Sequence, residues 1–331
     1  MRSACVRSFQ WTRFGPPGHD EVVPVKVPVS VLIPAKTEEL HIVDCLRSVS
    51  WAEEAVVVDS QSTDRTVQLA EGAGARCVQF HYEIGGVKKK NWALENVGFR
   101  HDWVLILDAD ERIPEALAEE IARVVKNNGP EAGYYLNRRF YFLHHWIKHC
   151  GYYPSWNLRL FRRDLGRYER LPDLSGCAGD NEVHEHVILQ GKAGRLHTPM
   201  EHYAYPTIDQ FMEKHIRYAS WEASLGQRAS ARMEGGAGRN PMVASANLRR
   251  ILKRLARRFP FPHWIRFFYH YVIRLGVLDG MAGYILCHLL AEYEFLIWAK
   301  TRELSGSADC LGRPPSTLSH RQDRLDANPD S

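Results

Sequence analysis

Apolar residues in the first third of the chain fall in short continuous runs, separated by stretches with helical spacing. Residues 27–33 predict a strand ending at Pro34, and Thr37 is placed to cap a helix whose apolar face is Leu40, Val43, Leu46 and Val49. Residues 55–58 predict a second strand ending at Asp59. Ser62, Thr63 and Asp64 then form a polar turn capping a helix through Val67 and Ala70. Residues 76–80 read as an edge-like strand, 88–99 as a helix, and 103–107 as a fourth strand. Residues 114–126 form a helix with Leu117, Ile121 and Val124 on one face. Strands alternating with helices predict an α/β fold, a mostly parallel central sheet flanked by helices.

The pattern changes beyond residue 130. Residues 134–142 and 157–161 predict strands of a mixed region rich in aromatics, among them Tyr152, Trp156 and Tyr168, and 209–224 predict a helix. The expected organisation is a loose extension over 1–26, a domain over 27–225 with halves at 27–130 and 131–225, and a Gly-rich mobile loop over 226–247. A helical appendage over 248–304 and a disordered tail over 305–331 complete it. The appendage is basic and aromatic, then apolar with Asp279, His288, Glu292 and Glu294 interposed, which argues against a simple membrane span. Two readings remain open for it: amphipathic helices lying on an anionic membrane face, or helices packing on the core or in a homodimer.

Composition narrows the class. At 331 residues, 45% apolar and 25% charged, the chain has material for a real core. Its net charge of +4 says little as an average, and the basic residues accompany no nucleic-acid recognition motif. Seven scattered cysteines without a CxxC pair argue against a disulfide framework or zinc knuckle and suit a reducing cytosol. The N-terminal stretch shows no continuous apolar run of the signal-peptide kind. Neither a GxGxxG nor a Walker loop follows the first strand, so bound phosphates would be held by metal and basic side chains.

Three predicted strands end in polar clusters: Pro34-Ala35-Lys36-Thr37-Glu38, Asp59-Ser60-Gln61-Ser62-Thr63-Asp64, and Asp108-Ala109-Asp110. Parallel strands bring their C-terminal ends to one edge, so the clusters should converge where open α/β sheets bind ligands. Two carboxylates one residue apart can hold a hard divalent cation, or divide ion and ribose between them. The alternative is an acidic turn opening the next helix. For Thr37 and Asp64 capping competes with ligand contact, and for Lys88-Lys89-Lys90 a solvated basic face competes with a phosphate site.

Together these clusters, with Lys88-Lys89-Lys90-Asn91-Trp92, Asp108-Ala109-Asp110-Glu111-Arg112, Val183-His184-Glu185 and His202-Tyr203, resemble family 2 glycosyltransferases of the GT-A fold. The resemblance spans about residues 28–300 and is nearest the bacterial branch containing lipopolysaccharide-core β-1,4-glucosyltransferases. Lys36-Thr37 is a departure, since relatives more often carry Tyr-Asn. It implies an inverting enzyme that moves a sugar from a nucleotide-sugar donor, a UDP-hexose, to a lipid-linked saccharide with Mg²⁺ or Mn²⁺, on the inner face of the cytoplasmic membrane. The implied donor contacts are Pro34, Ala35, Thr37, Glu38, Asp59 and Ser62 around base and ribose, and Lys89 or Lys90 at the diphosphate. Asp108 and Ala109 fall near the ribose, Asp110 and His202 at the metal, and Arg159 at phosphate or acceptor. Glu185 is the expected base, with Glu182 second. A sugar-phosphate nucleotidyltransferase and a polyprenyl-phosphate glycosyltransferase are the alternatives.

Overall fold

The computed structural model describes residues 26–83, 86–169, 186–234 and 262–304. Strand β1 (Val27–Ala35) lies between β2 (Ala52–Asp59) and β4 (Trp103–Ile106), parallel to both, with β3 (Arg76–Gln79) outside β2. Val31, Leu32 and Ile33 are fully buried because helices cover both faces of the sheet, which explains the unbroken apolar run. Alternate side chains divide between two cores. Val31 and Ile33 pack with α1 (Ile42–Ser48) and α4 (Glu115–Asn127), while Leu32 packs with Val56, Ile106 and Ala93 of α3 (Lys89–Asn96). The remaining helix of this region is α2 (Thr66–Gly72). This is the α/β architecture expected from the sequence.

Beyond β4 the sheet becomes mixed. β8 (Trp156–Arg162) pairs antiparallel with β4 and with β6 (Gly133–Phe142). β6 runs parallel to β12 (Met200–Tyr205), which returns antiparallel to the two-residue β5 (Glu111–Arg112). The short strands β7 (His145–Ile147) and β11 (Ala193–Arg195) add to β6, and β9 (Gly166–Tyr168) pairs with β10 (Val187–Leu189). A third core, built on Phe140, Phe142 and Ile147, receives α5 (Ile208–Glu234) and the C-terminal helix α7 (Gly280–Leu304). A short helix α6 (Pro262–Phe268) precedes α7.

Several local expectations change. Thr37 has φ +58, outside the geometry of a helix cap, and its amide donates to Ser62 Oγ at 2.8 Å. α1 therefore starts only at Ile42, and Leu40, expected on its apolar face, is 70% exposed. Asp64 lies one residue before the N-cap Arg65, and its carboxylate accepts the Thr66 amide at 3.0 Å and the Glu39 amide at 3.1 Å, joining the loops after β1 and β2. The mobile loop expected from residue 226 is helical as far as Glu234. Gly226 is the sole glycine in α5, and the Gln, Ala, Arg, Met and Glu that follow are good helix formers. Residues 235–247, like 1–25 and 305–331, lie outside the described residues.

Where α5 meets α7, His215 stacks on Phe211 with ring centroids 3.6 Å apart and donates from Nδ1 to the Phe211 carbonyl at 2.8 Å. Burial, helped by Arg266 and Lys214, pushes its pKa down to about 4. A depressed histidine contributes its stability above the unfolded value near 6.5 and loses it as pH falls toward 4, about 3 kcal/mol in all. His215→Phe should thus flatten the fall in melting temperature between pH 6.5 and 4. Equal slopes for the two proteins would refute this.

Candidate active site

The C-terminal ends of β1 and β4, the start of α3, the strands β8 and β12 and the helix α5 enclose a cavity of about 970 Å³. Its central residues are placed by backbone pairing. After β4 the chain turns through Asp108, Ala109 and Asp110 into β5, and β5 pairs with β12 so that His202 lies opposite Glu111. The Tyr203 amide donates to the Asp110 carbonyl at 2.8 Å. This register brings His202 Nε2 to 3.3 Å from Asp110 Oδ2.

The two carboxylates have different surroundings. Asp108 is gripped from both sides: Arg159 of β8 donates to Oδ2 at 2.6 Å, and Lys90 Nζ lies 3.2 Å from Oδ1. Arg159 also donates at 2.7 Å to Glu111, which has no exposed surface and accepts the Asp108 amide at 2.9 Å. Arg138 Nη1 stands 3.5 Å from the same glutamate. Asp110, among the described residues, meets only His202. Burial resists ionisation of both aspartates. Attraction to Arg159 and Lys90 outweighs it for Asp108, and attraction to His202 and Lys214 does so for Asp110, so both carboxyls lie below their usual range. Burial and then the charge of Asp110 push Glu38 the other way, up to about 7.

Pro34, Ala35, Glu38, Lys89 and Lys90 line the cavity, as do Asp108, Ala109, Asp110, Arg159 and His202. Lys89 Nζ donates to the Ala35 carbonyl at 3.0 Å. The third helix is held by Asn91, which exchanges two 2.9 Å hydrogen bonds with the backbone of Tyr168, placing Lys90 Nζ 5.4 Å from that ring. Thr37, Asp59 and Ser62 do not line it. Asp59 is fully buried and its carboxylate accepts both the amide (2.9 Å) and the hydroxyl of Ser62. Arg112 holds the turn, donating to the carbonyls of Ala109, Glu111 and His41. Glu185 and Glu182 lie outside the described residues, while the adjoining His186 and Val187 border the cavity.

Other lining residues carried no local signal. Arg138 and Phe140 of β6, Tyr152 and Trp156 before and at the start of β8, and Lys214 and Arg217 of α5 are brought in by long-range packing. Their sequence neighbourhoods are an ordinary strand, an aromatic loop and an amphipathic helix.

The residues fit a divalent cation. Asp110 and His202 offer an oxygen and a nitrogen at a separation compatible with two ligands of one octahedral ion, and His202 Nδ1 is buried without a hydrogen-bond partner. No cluster of three or more His, Cys, Asp or Glu ligands occurs among the described residues. An ion held by this pair would complete its coordination with oxygens from water or phosphate, as Mg²⁺ and Mn²⁺ commonly do.

Comparison with known proteins identifies the family. The glycosyl transferase family 2 model matches residues 30–179. The lipopolysaccharide core biosynthesis glycosyltransferase LpsC of Rhizobium meliloti (strain 1021) is 32% identical over 209 residues, 60% of this chain and 71% of that protein. An uncharacterized glycosyltransferase of Rickettsia bellii (strain RML369-C) is 27% identical over 84% of this chain and 87% of its own. A crystal structure of glucosyl-3-phosphoglycerate synthase from Mycobacterium tuberculosis, in complex with Mn²⁺, UDP and glucosyl-3-phosphoglycerate, is 24% identical. That match covers 39% of this chain and about half (51%) of the other, with a TM-score of 0.28, too low to carry ligands or fold across. On the family match and the extent of the likeness to LpsC, the chain belongs to glycosyl transferase family 2 and is a glycosyltransferase.

Proposed function

We propose that the enzyme transfers a hexose from UDP-hexose to a lipid-linked saccharide of the cell envelope, inverting the anomeric centre, at the cytoplasmic face of the membrane. The observation that carries this is the division of labour between the carboxylates: Asp108 held in place by Arg159 and Lys90, and Asp110 paired only with His202 among the described residues. Asp110 and His202 hold Mg²⁺ or Mn²⁺. When bound, the ion neutralises charge on the leaving diphosphate. Lys89 and Lys90, opening α3 at the cavity wall, add fixed positive charge beside the phosphates. Asp108, oriented rather than free to swing, accepts from a ribose hydroxyl, and Ala35 and Glu38 line the path to the base. Glu185 takes the proton from the acceptor hydroxyl as it attacks; a single displacement needs only one such base. Likeness to a lipopolysaccharide-core enzyme supports the acceptor class.

The test is incubation with Mn²⁺ and a panel of nucleotide sugars, reading released nucleoside diphosphate against pyrophosphate. UDP release is expected with one UDP-hexose; pyrophosphate release instead would establish nucleotidyl transfer and sink the proposal. Glu185→Gln should leave donor binding intact and lower turnover by at least about 100-fold. Normal turnover would remove Glu185 as the base.

A further inference from the structure

The segment joining the acceptor half to the C-terminal helix has an unusual surface. Eleven of the seventeen large apolar side chains exposed among the described residues lie between Trp264 and Tyr284. They concentrate where the chain bends by 73° between residues 262–273 and 276–304, with Ile273, Leu275, Leu278 and Met281 at the bend and Leu278 and Met281 63% and 71% exposed. By itself, no helix among the described residues is long and apolar enough to cross a membrane.

This exposure does not reflect a loosely attached element. The opposite face of α7 buries Leu286, Cys287 and Leu290 against the third core and Ile297 against α5. The bend is locked by close backbone approach, because a Cβ on Gly283 would collide with the carbonyl oxygen of Gly276. The Cys150 amide donates to the Arg274 carbonyl at 3.0 Å, and His270 donates from Nδ1 to the Cys150 carbonyl at 2.7 Å.

Charge at the bend is one-sided. Asp279, the only acid between Pro262 and Tyr284, is turned inward with its side chain 3% exposed. It accepts the amides of Lys148 (3.1 Å) and His149 (2.9 Å) and the His149 ring at 2.9 Å. The exposed charges left beside the apolar tip, Arg274 and Lys148, are both positive. A rigid apolar tip with Trp264, Tyr269 and Tyr284 around it, cations beside it and its single acid withdrawn is complementary to an anionic lipid surface.

We propose that the bend between α6 and α7 inserts into the headgroup layer of an anionic bilayer and docks the enzyme as a monotopic membrane protein. The same contacts orient the site. The chain pinned by Asp279 and Arg274 runs on through Tyr152 and Trp156, which line the cavity, so docking holds the acceptor-side wall beside the lipid.

Docking does not depend on the chemistry proposed above and is tested without it. The full-length protein is floated with vesicles of phosphatidylglycerol and phosphatidylethanolamine at about one to three, and separately with phosphatidylcholine vesicles. The double variant Leu278→Asp/Met281→Asp changes only exposed side chains, and an unchanged melting temperature checks its fold. Ile273→Asp serves as an independent second probe and Leu40→Asp, an exposed apolar residue outside the bend, as control. Wild type and control should float with the anionic vesicles, and each bend variant should partition at least about tenfold less. Failure of the wild type to float, or equal flotation of wild type and both bend variants, would overturn the proposal. So would a concentration-dependent dimer that the bend variants disperse while vesicles bind neither form, since a second copy would then occupy the face.

Discussion

Replacing Asp110 by alanine is expected to lower metal-supported sugar transfer by about 100- to 1,000-fold, the order found when a group stabilising developing charge is lost. The magnitude follows from the pairing at the site. Asp108 is already held by Lys90 and Arg159, which as cations cannot themselves ligate a metal, so it does not replace a lost ligand at the position of Asp110. His202 alone would leave an ion with one protein ligand among the described residues. The same variant should also lose some stability, because attraction to His202 and Lys214 outweighs the desolvation cost of the Asp110 carboxylate, so its fold is checked by the melting temperature without ligand. A thermal shift with Mn²⁺ and UDP separates the two effects: wild type should rise in melting temperature and Asp110→Ala should not. Full metal-dependent turnover in the variant would exclude Asp110 as the ligand.

The second large effect is on stability. Arg159→Met should destabilise the fold by about 3–5 kcal/mol, as breaking a buried ion pair does when one charge is left behind. Glu111 has no exposed surface and Asp108 is about a third exposed, so the underpaired charge falls chiefly on Glu111, left with Arg138 at 3.5 Å. Adding Glu111→Gln to Arg159→Met should recover much of the loss by removing that charge. Urea unfolding of the single and double variants measures both. A loss below about 1 kcal/mol for Arg159→Met would show that the triad is not the anchor its geometry implies.

Legibility in the sequence tracked the range of the interaction. The strands β1, β2 and β4 announce themselves because burial on both faces demands continuous apolar runs, and the parallel α/β arrangement expected from them is the one observed. The acids after β4 and the lysines opening α3 stand out for the same local reason: each follows directly from a recognisable element. What could not be read was pairing between distant strands. His202 reaches Asp110 only because β12 closes onto the two-residue β5, and nothing near Glu111 marks it as the most buried acid of the site. Arg159, expected at phosphate or acceptor, has two carboxylate partners within the cavity wall, which no local pattern announces. Thr37 misled because a left-handed φ is invisible in a motif that otherwise suits a helix cap.

The division into a nucleotide half and an acceptor half, natural from the sequence, has a limit set by Arg159. This arginine and Arg138 both lie beyond residue 130, yet their charges stabilise Asp108 and Glu111 before it, and β8 is hydrogen-bonded directly to β4. Residues 131–225 are therefore not an interchangeable cassette. A chimera grafting another family member's second half onto residues 27–130 inherits a carboxylate site whose electrostatics are completed by the graft. Only grafts that bring both arginines in register with β4 would preserve it, so recombination in such enzymes is constrained where sequence boundaries look most permissive.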